Sequence, residues 1–350
     1  MEINKEKVRK ILIIKLRGIG DVILSTVVFD NLRKDFPHAK IDYLTEKPSK
    51  TALEKIPFIN NIELSPKGSF IEDVKLIYHI RRNKYDLVFD FYSNPRTALI
   101  TFLSGAKYRA GFPYRGRKYA YNLFGPAERN IYHAGQLHLE FLKCLGLKHD
   151  EKIMHFGLTE DDRLFAKEFF ADKFSESEFV VGLSPSGGWN SKKAEPAKFA
   201  EIGNEILKRY SAKLLVLWGP GDQNDALEIC QLLRGKGVIA PLTDIRKMAA
   251  LLEKCSMVIA NDSGPMHIST AVGTPTLSMH GPTSPHMQGP FGDKHEWVRL
   301  DELECIECNL LECPRNHECF RNLPVERVMA KVESLIRKNN ISIPALNEKI

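Results

Sequence analysis

The stretch from Met257 to Gly292, MVIANDSGPMHISTAVGTPTLSMHGPTSPHMQGPFG, constrains the fold more than any other part of the chain. Met257 to Ala260 is a short apolar run of the kind a buried parallel strand uses. Asn261 and Asp262 end it with turn chemistry. Ser263 is placed to cap a following helix, Pro265 suits that helix's first turn, and Gly273 suits its C-terminal end. Thr276 to Met279 is a second buried strand. A strand–turn–helix–strand unit of this kind puts a helix N-terminus, with free N–H groups and a positive dipole end, at the carboxyl end of a strand. Open α/β sheets bind phosphates there. Asp262, Ser263, Gly264, His267 and His280 cluster around that strand end, which favours a phosphate or sugar site over a bare helix cap.

The same alternation runs through the whole chain. Lys10 to Lys15 reads as a strand, Leu16 to Asp21 as a glycine-bearing turn, and Val22 to Lys34 as a helix. Strands follow at Ile41 to Leu44, Ile62 to Leu64 and Tyr85 to Phe91, with a helix over Ser69 to Asn83. Helices are expected at His133 to Leu147 and Glu160 to Phe174. After a polar stretch at Ser175 to Glu178 the pattern restarts with the strand FVVGLS, Phe179 to Ser184. The second half continues with strands at Lys213 to Trp218 and Val238 to Ala240, and helices at Pro196 to Tyr210, Asn224 to Gly235 and Ile245 to Lys254. Alternating strands and helices argue for an α/β fold with parallel sheets covered on both faces. At 350 residues, two Rossmann-like domains are expected, 1–175 and 176–350. The final helix, Pro324 to Lys338, is expected to return to the N-terminal half. The charged start and the short apolar run Ile11 to Ile14 leave no signal peptide or membrane span to read, so a cytoplasmic protein is the expectation.

Three strand ends of the second half carry small or polar loops: Ser186-Gly187-Gly188, Gly219-Pro220-Gly221 and Asp262-Ser263-Gly264. In a parallel sheet they point the same way. Lys192 is placed to meet a diphosphate, and Asp222 to accept hydrogen bonds from ribose hydroxyls. In the first half, no acid lies between Asp90 and Glu128, while Arg96, Arg109, Arg115 and Arg117 alternate with tyrosines. That composition suits a phosphorylated glycan or lipid head group. It lacks any recognisable nucleic-acid module, and nucleic acid is not expected as a partner. The balance of 50 basic to 44 acidic residues adds only a weak preference for anions. Cys305, Cys308, Cys313 and Cys319 are spaced closely enough for zinc or an iron–sulfur centre, and equally for free thiols. Asp21, at a helix start, reads as a cap on local grounds.

The segments ILIIKLRGIGDVILSTVVFDNLRKDFP, SPSGGWNSKKAEPAKFAEI, WGPGD and NDSGPMHISTAVGTPTLSMHGPTSP together resemble the ADP-heptose:lipopolysaccharide heptosyltransferases, glycosyltransferase family nine. The resemblance covers nearly the whole chain, and the last segment is its most specific part. Ala194 stands where the family usually has an aromatic residue. It implies a GT-B fold, two Rossmann-like domains whose parallel sheets face an interdomain cleft. It implies inverting, metal-independent transfer from an ADP-sugar, with no cofactor required. By position, Asp21 matches the family's proposed base. Gly187, Gly188 and Lys192 match the diphosphate loop, and Asp222 the ribose contact. Thr243 falls where the backbone meets adenine, and Asp262, Ser263, Gly264 and His267 match the donor signature. A phosphorylated lipid A-core acceptor would suit Arg96, Arg109, Arg115 and Arg117, and would place the enzyme peripherally on the cytoplasmic face of the inner membrane. The resemblance makes a structural zinc at the cysteines less expected than spacing alone does. Two other readings remain at this level: a GT-B enzyme of another nucleotide sugar, such as an epimerase, and a non-enzymatic metal- or glycan-binding protein.

Overall fold

The computed structural model describes residues 2–66, 70–175 and 178–344. It divides into two units, Met1–Gly157 and Leu158–Ile350. The expected division at 175/176 lies 18 residues later, with 176 and 177 outside the described residues. The difference comes from one helix, Glu160–Lys173, which packs on Ile245–Lys254 of the second unit. Arg163 Nε lies 3.1 Å from Glu253, and Arg246 Nε lies 3.5 Å from the buried Asp162.

The first unit holds strands β1 (Lys10–Ile14), β2 (Lys40–Thr45), β3 (Ile59–Leu64), β4 (Leu87–Asp90), β5 (Tyr108–Gly111) and β6 (Leu123–Phe124). They form one parallel sheet in the order β3-β2-β1-β4-β5-β6. Its helices are α1 (Ile19–Ser25), α2 (Phe29–Asp35), α3 (Lys47–Leu53), α4 (Phe70–Arg82), α5 (Pro95–Leu103) and α6 (Ala134–Cys144). The single helix expected over 22–34 is interrupted at Thr26–Val28 by a 3-10 turn. There Ser25 and Thr26 hydroxyls donate back to the carbonyls of Val22 and Ile23, at 2.7 and 2.6 Å. Such back-bonding competes with regular helix geometry. The Ser69 start expected for α4 lies outside the described residues.

The second unit contains α7 (Glu160–Lys173), β7 (Phe179–Ser184), α8 (Pro196–Arg209), β8 (Ala212–Val216), α9 (Gln223–Leu232), β9 (Gly237–Ile239) and α10 (Ile245–Lys254). It continues with β10 (Met257–Asn261), α11 (Gly264–Ala271), β11 (Thr276–His280), α12 (Pro285–Gln288), β12 (Glu296–Arg299), α13 (Glu318–Arg321) and α14 (Val325–Lys338). Its parallel sheet runs β12-β11-β10-β7-β8-β9. Read from the other edge, this repeats the order of the first sheet. Every residue of β7, β10 and β11 is buried, as strands covered on both faces require. The final helix packs within the second unit. Val328, Met329, Val332 and Leu335 bury its apolar face in the second unit's own core, against α8, β11 and β12.

Both sheets reverse strand order once, between β1 and β4 in the first unit and between β7 and β10 in the second. Ligands of open α/β sheets bind outside the carboxyl ends of strands at such a reversal. Asp21 follows β1, and Lys192, Asp262, Ser263 and Gly264 follow β7 and β10, at these two places.

Candidate functional site

In the second unit, the ends of β7 and β10 are tied together by Asn261. Its fully buried amide donates to Pro185 O at 2.8 Å and accepts from Ala194 N at 3.2 Å. This fixes the two loops at the strand reversal, and Ala194 contributes only its backbone. Between these anchors the chain makes a short 3-10 turn, Asn190–Lys192, which turns Lys192 inward. The Lys192 ammonium lies 2.7 Å from Asp262 Oδ2, and both side chains are almost fully buried. Gln288 Oε1 is 3.4 Å away, and the Trp189 ring centroid 4.4 Å. Thr283 Oγ1 donates to the same Asp262 oxygen at 2.5 Å. Burial pushes the Asp262 carboxyl up, but His280, Lys192 and Thr283 outweigh it and hold it below the usual carboxylate range. His280, fully buried one strand over, hydrogen-bonds Ser278 Oγ at 2.7 Å, and burial pulls its pKa down to about 4.

The loop after β8 joins this group. A Cβ on Gly219 would lie 3.7 Å from Asp222 Oδ2 and 3.8 Å from Ser186 Oγ, so the three strand-end loops do converge. Asp222 is held by Lys193, whose ammonium also reaches Asp225 at 3.2 Å. The Ser184 and Ser186 hydroxyls are buried without a hydrogen-bond partner. Buried donors of that kind are costly unless something else meets them. Gly188 and Gly264 face open space, and a Cβ on Gly187 would meet Lys193 Cγ at 2.6 Å. Ser263 occupies the N-cap position of α11 but its side chain makes no capping bond; Oγ turns to Asn261 O at 3.2 Å. The expected Ser cap is therefore absent, and no side chain of that residue covers the α11 N-terminus. His267 is buried one turn into α11, and Thr243 is half-buried between β9 and α10.

In the first unit, Gly18 turns the chain from β1 into α1 with φ +82°. Asp21 sits in the first turn of α1 with its side chain 53% exposed, and its carboxylate lies 3.5 Å from the buried Lys15 ammonium. Burial pushes the Lys15 pKa down and Arg129 adds to this, while Asp21 opposes it. On the adjoining β4 end, Asp90 accepts from Ser93 N at 2.7 Å and from Tyr121 OH at 2.8 Å. Tyr92 OH accepts from Arg17 Nε at 2.9 Å.

The basic stretch is more ordered than its composition implies, because it contains α5, β5 and β6. Arg96 is clamped by Asp73 and by Pro66 O at 2.8 Å. Arg109 donates to Ala106 O and Ala120 O, at 2.8 and 3.0 Å. Both guanidiniums are engaged in the fold. Arg117 reaches Ser93 O at 2.6 Å and stacks on Tyr114, beside the β4 end. Arg115 is exposed.

Cys308 is exposed, Cys305 and Cys313 are half-buried, and Cys319 lies in the core, its thiol pushed up to about 12 by burial and by the other three thiols. Among the described residues no three of His, Cys, Asp and Glu come together to hold a metal ion. The cysteine-bearing segment braces the loops after β7 and β11: Ser191 N donates to Leu311 O at 3.1 Å, and Asn309 N to Pro282 O at 2.8 Å.

Residues missed by sequence reasoning are Lys15, Asn261, Thr283 and Gln288. The first two had a signal, since each is a polar residue closing an otherwise apolar strand; the latter two had none.

Residues 74–318 match the family model of glycosyltransferase family 9 (heptosyltransferase). The chain is 25% identical over 313 residues to lipopolysaccharide heptosyltransferase 2 of Escherichia coli K12, spanning 83% of this chain and 88% of that one. A glycosyltransferase family 9 structure from Veillonella parvula superposes with a TM-score of 0.82 at 22% identity, covering 94% and 97% of the two chains. The E. coli ADP-heptose lps heptosyltransferase II gives 0.74 at 19% identity, covering 95% and 99%. These structural likenesses establish the fold as GT-B.

Proposed function

The chain belongs to glycosyltransferase family 9, the heptosyltransferase family, and from that premise we propose that it moves heptose from ADP-heptose onto the inner core of lipopolysaccharide, with inversion at the anomeric carbon and no metal ion in the chemistry. The observation that carries the reading is the buried Lys192–Asp262 pair at the β7–β10 reversal. An ammonium has three N–H groups. Asp262 and Gln288 take two, fixing the third for an incoming diphosphate. As the sugar–phosphate bond breaks, negative charge grows on the β-phosphate. Lys192, the α11 N-terminus at Ser263 and Gly264, and the Ser186 hydroxyl are the groups assigned to meet it. Gly187 and Gly188 let the diphosphate approach the backbone. Asp222 receives the ribose, Thr243 the adenine through its backbone, and His267 completes the donor signature.

Asp21 is assigned as the general base. It is exposed, it follows the first strand of the reversal in the first unit, and the Lys15 ammonium 3.5 Å away fixes its direction. It takes the proton from the acceptor hydroxyl as that oxygen attacks the anomeric carbon opposite the departing ADP. Arg115 and Arg117 are assigned to the anionic acceptor, a Kdo-lipid A or heptosyl core, at the cytoplasmic face of the inner membrane. Calorimetry with ADP-heptose, UDP-glucose and GDP-mannose tests the donor. ADP-heptose should bind at least about tenfold more tightly, a difference of about 1.4 kcal/mol. Equal or tighter binding of a UDP or GDP sugar overturns the assignment.

A further inference from the structure

Helix α4 carries a large exposed apolar surface. Phe70, Ile71, Val74 and Tyr78 are 82%, 66%, 49% and 62% exposed, whereas Leu76 and Ile80 on the other side are buried with Tyr85, Val88 and Ile100. At about 100° per residue, the four exposed side chains fall within an arc of roughly 100°. Arg81 lies in that arc, Lys75 and Arg82 border it, and Glu72 lies beyond it. Arg82 also stacks on Tyr78 at 5.7 Å.

Helix α5 lies alongside. Arg96 of α5 is clamped by Asp73 of α4, and Arg81 donates to Leu103 O at 3.1 Å. It leaves Leu99 and Phe102 exposed, and the exposed Tyr119 packs edge-on to Phe102 at 5.5 Å. Beside Tyr119, Arg115 and Lys118 line an open cavity of about 390 Å³ with Pro113 and Gly116. A single exposed leucine is ordinary, but this many bulky apolar side chains on two adjoining helices mark an interaction surface.

We propose that the α4–α5 face seats on an anionic lipid bilayer, lying in its interface. This rests on the reading that the acceptor is lipid-anchored. Charge selects the bilayer over a protein partner. The basic residues Lys75, Arg82, Arg115 and Lys118 border the apolar centre and Arg81 lies within it; of the two acids of α4, Asp73 is paired within the fold and Glu72 lies beyond the arc, and no acid occurs from 91 to 127. An apolar centre with lysine and arginine at its edges is the pattern of helices that lie on negatively charged membranes. Among the described residues no helix is long and apolar enough to cross one.

Flotation with phosphatidylethanolamine–phosphatidylglycerol vesicles, against pure phosphatidylcholine vesicles, tests this. The wild type should float with the anionic vesicles. The triple variant Phe70→Ser, Val74→Ser, Tyr78→Ser should lose at least about tenfold in partitioning. Its melting temperature and its transfer to a water-soluble, deacylated acceptor should stay at wild-type values. Lys75→Glu with Arg82→Glu should weaken binding to anionic vesicles and leave phosphatidylcholine binding unchanged. A wild type that does not float, or a triple variant that floats equally well, overturns the proposal. So does a concentration-dependent dimer that the triple variant abolishes, since a second copy would then own the face. Stripe-dependent flotation without any heptose transfer would support this surface and refute the functional reading alone.

Discussion

Two carboxylates carry the proposed chemistry at the residue scale, and they are held in opposite ways. Asp262 is buried and locked, whereas Asp21 is exposed and touches one cation, Lys15. Asn keeps the shape of Asp but cannot take a proton. Asp21→Asn should therefore lower single-turnover transfer by about 10²–10⁴, with ADP-heptose affinity and melting temperature close to wild type. A variant transferring at the wild-type rate would reduce Asp21 to a helix-terminus charge. Lys192→Ala makes a two-part forecast. Losing a charge-assisted contact to phosphate should weaken ADP binding by about 1.5–3 kcal/mol. It also strands a buried Asp262, which costs on the order of 3–5 kcal/mol of stability. Adding Asp262→Asn should recover part of the stability and none of the ADP affinity, read by melting and calorimetry side by side. If the double variant binds ADP like wild type, Lys192 is a structural partner only.

At the scale of elements, the turn from β1 to α1 is the most exacting. Gly18 has φ +82°, and a Cβ there would lie 2.3 Å from Asp21 Oδ2. Gly18→Ala should cost about 1 kcal/mol or more in backbone strain and displace the proposed base, so turnover should fall further than the change in melting explains. Unchanged turnover would mean that the carboxylate position does not matter. This turn was legible in the sequence as strand, glycines and helix, and so were β7 and α10, whose expected bounds are those observed. Buried parallel strands and strongly amphipathic helices announce themselves by composition. The α1–α2 break did not, because it depends on where two hydroxyls point. Helix α5 was hidden inside a stretch read by its charge. Its start, Asn94-Pro95, carries a capping box with Thr97, which tyrosines and arginines on either side obscured. The fold contacts of Arg96 and Arg109 were hidden for the same reason: charge content shows which residues are cationic and not which of them the fold already holds. Cysteine spacing likewise carries no burial: Cys319 faces the core and Cys308 solvent.

For the whole molecule, both units repeat one strand order, with Asp21 after β1 at the reversal of the first and Lys192 and Asp262 after β7 and β10 at that of the second. The repeat was readable from the restart at Phe179. The unit boundary was not, because α7 belongs to the second unit through side-chain packing on α10 rather than through any break in composition. The second unit should also be acid-sensitive. Burial holds His280 and His295 at about 4, below the ordinary histidine value of 6.5. Both are neutral when folded, so their contribution is complete above pH 6.5 and is lost as pH falls toward 4. The loss is on the order of 3 kcal/mol for each. Melting followed from neutral pH downward should show a steep decline in that window, which His295→Gln should flatten; a flat profile in the wild type would remove both histidines from the account. Transfer itself is the most direct test of the central claim. Wild-type protein, ADP-heptose and a Kdo-lipid A acceptor, incubated with EDTA, should give a product heavier by one heptose residue in the mass spectrum, with inverted anomeric configuration by NMR. Retained configuration, dependence on added magnesium or manganese, or no heptosylated product from Kdo-lipid A or a heptosyl core would contradict it.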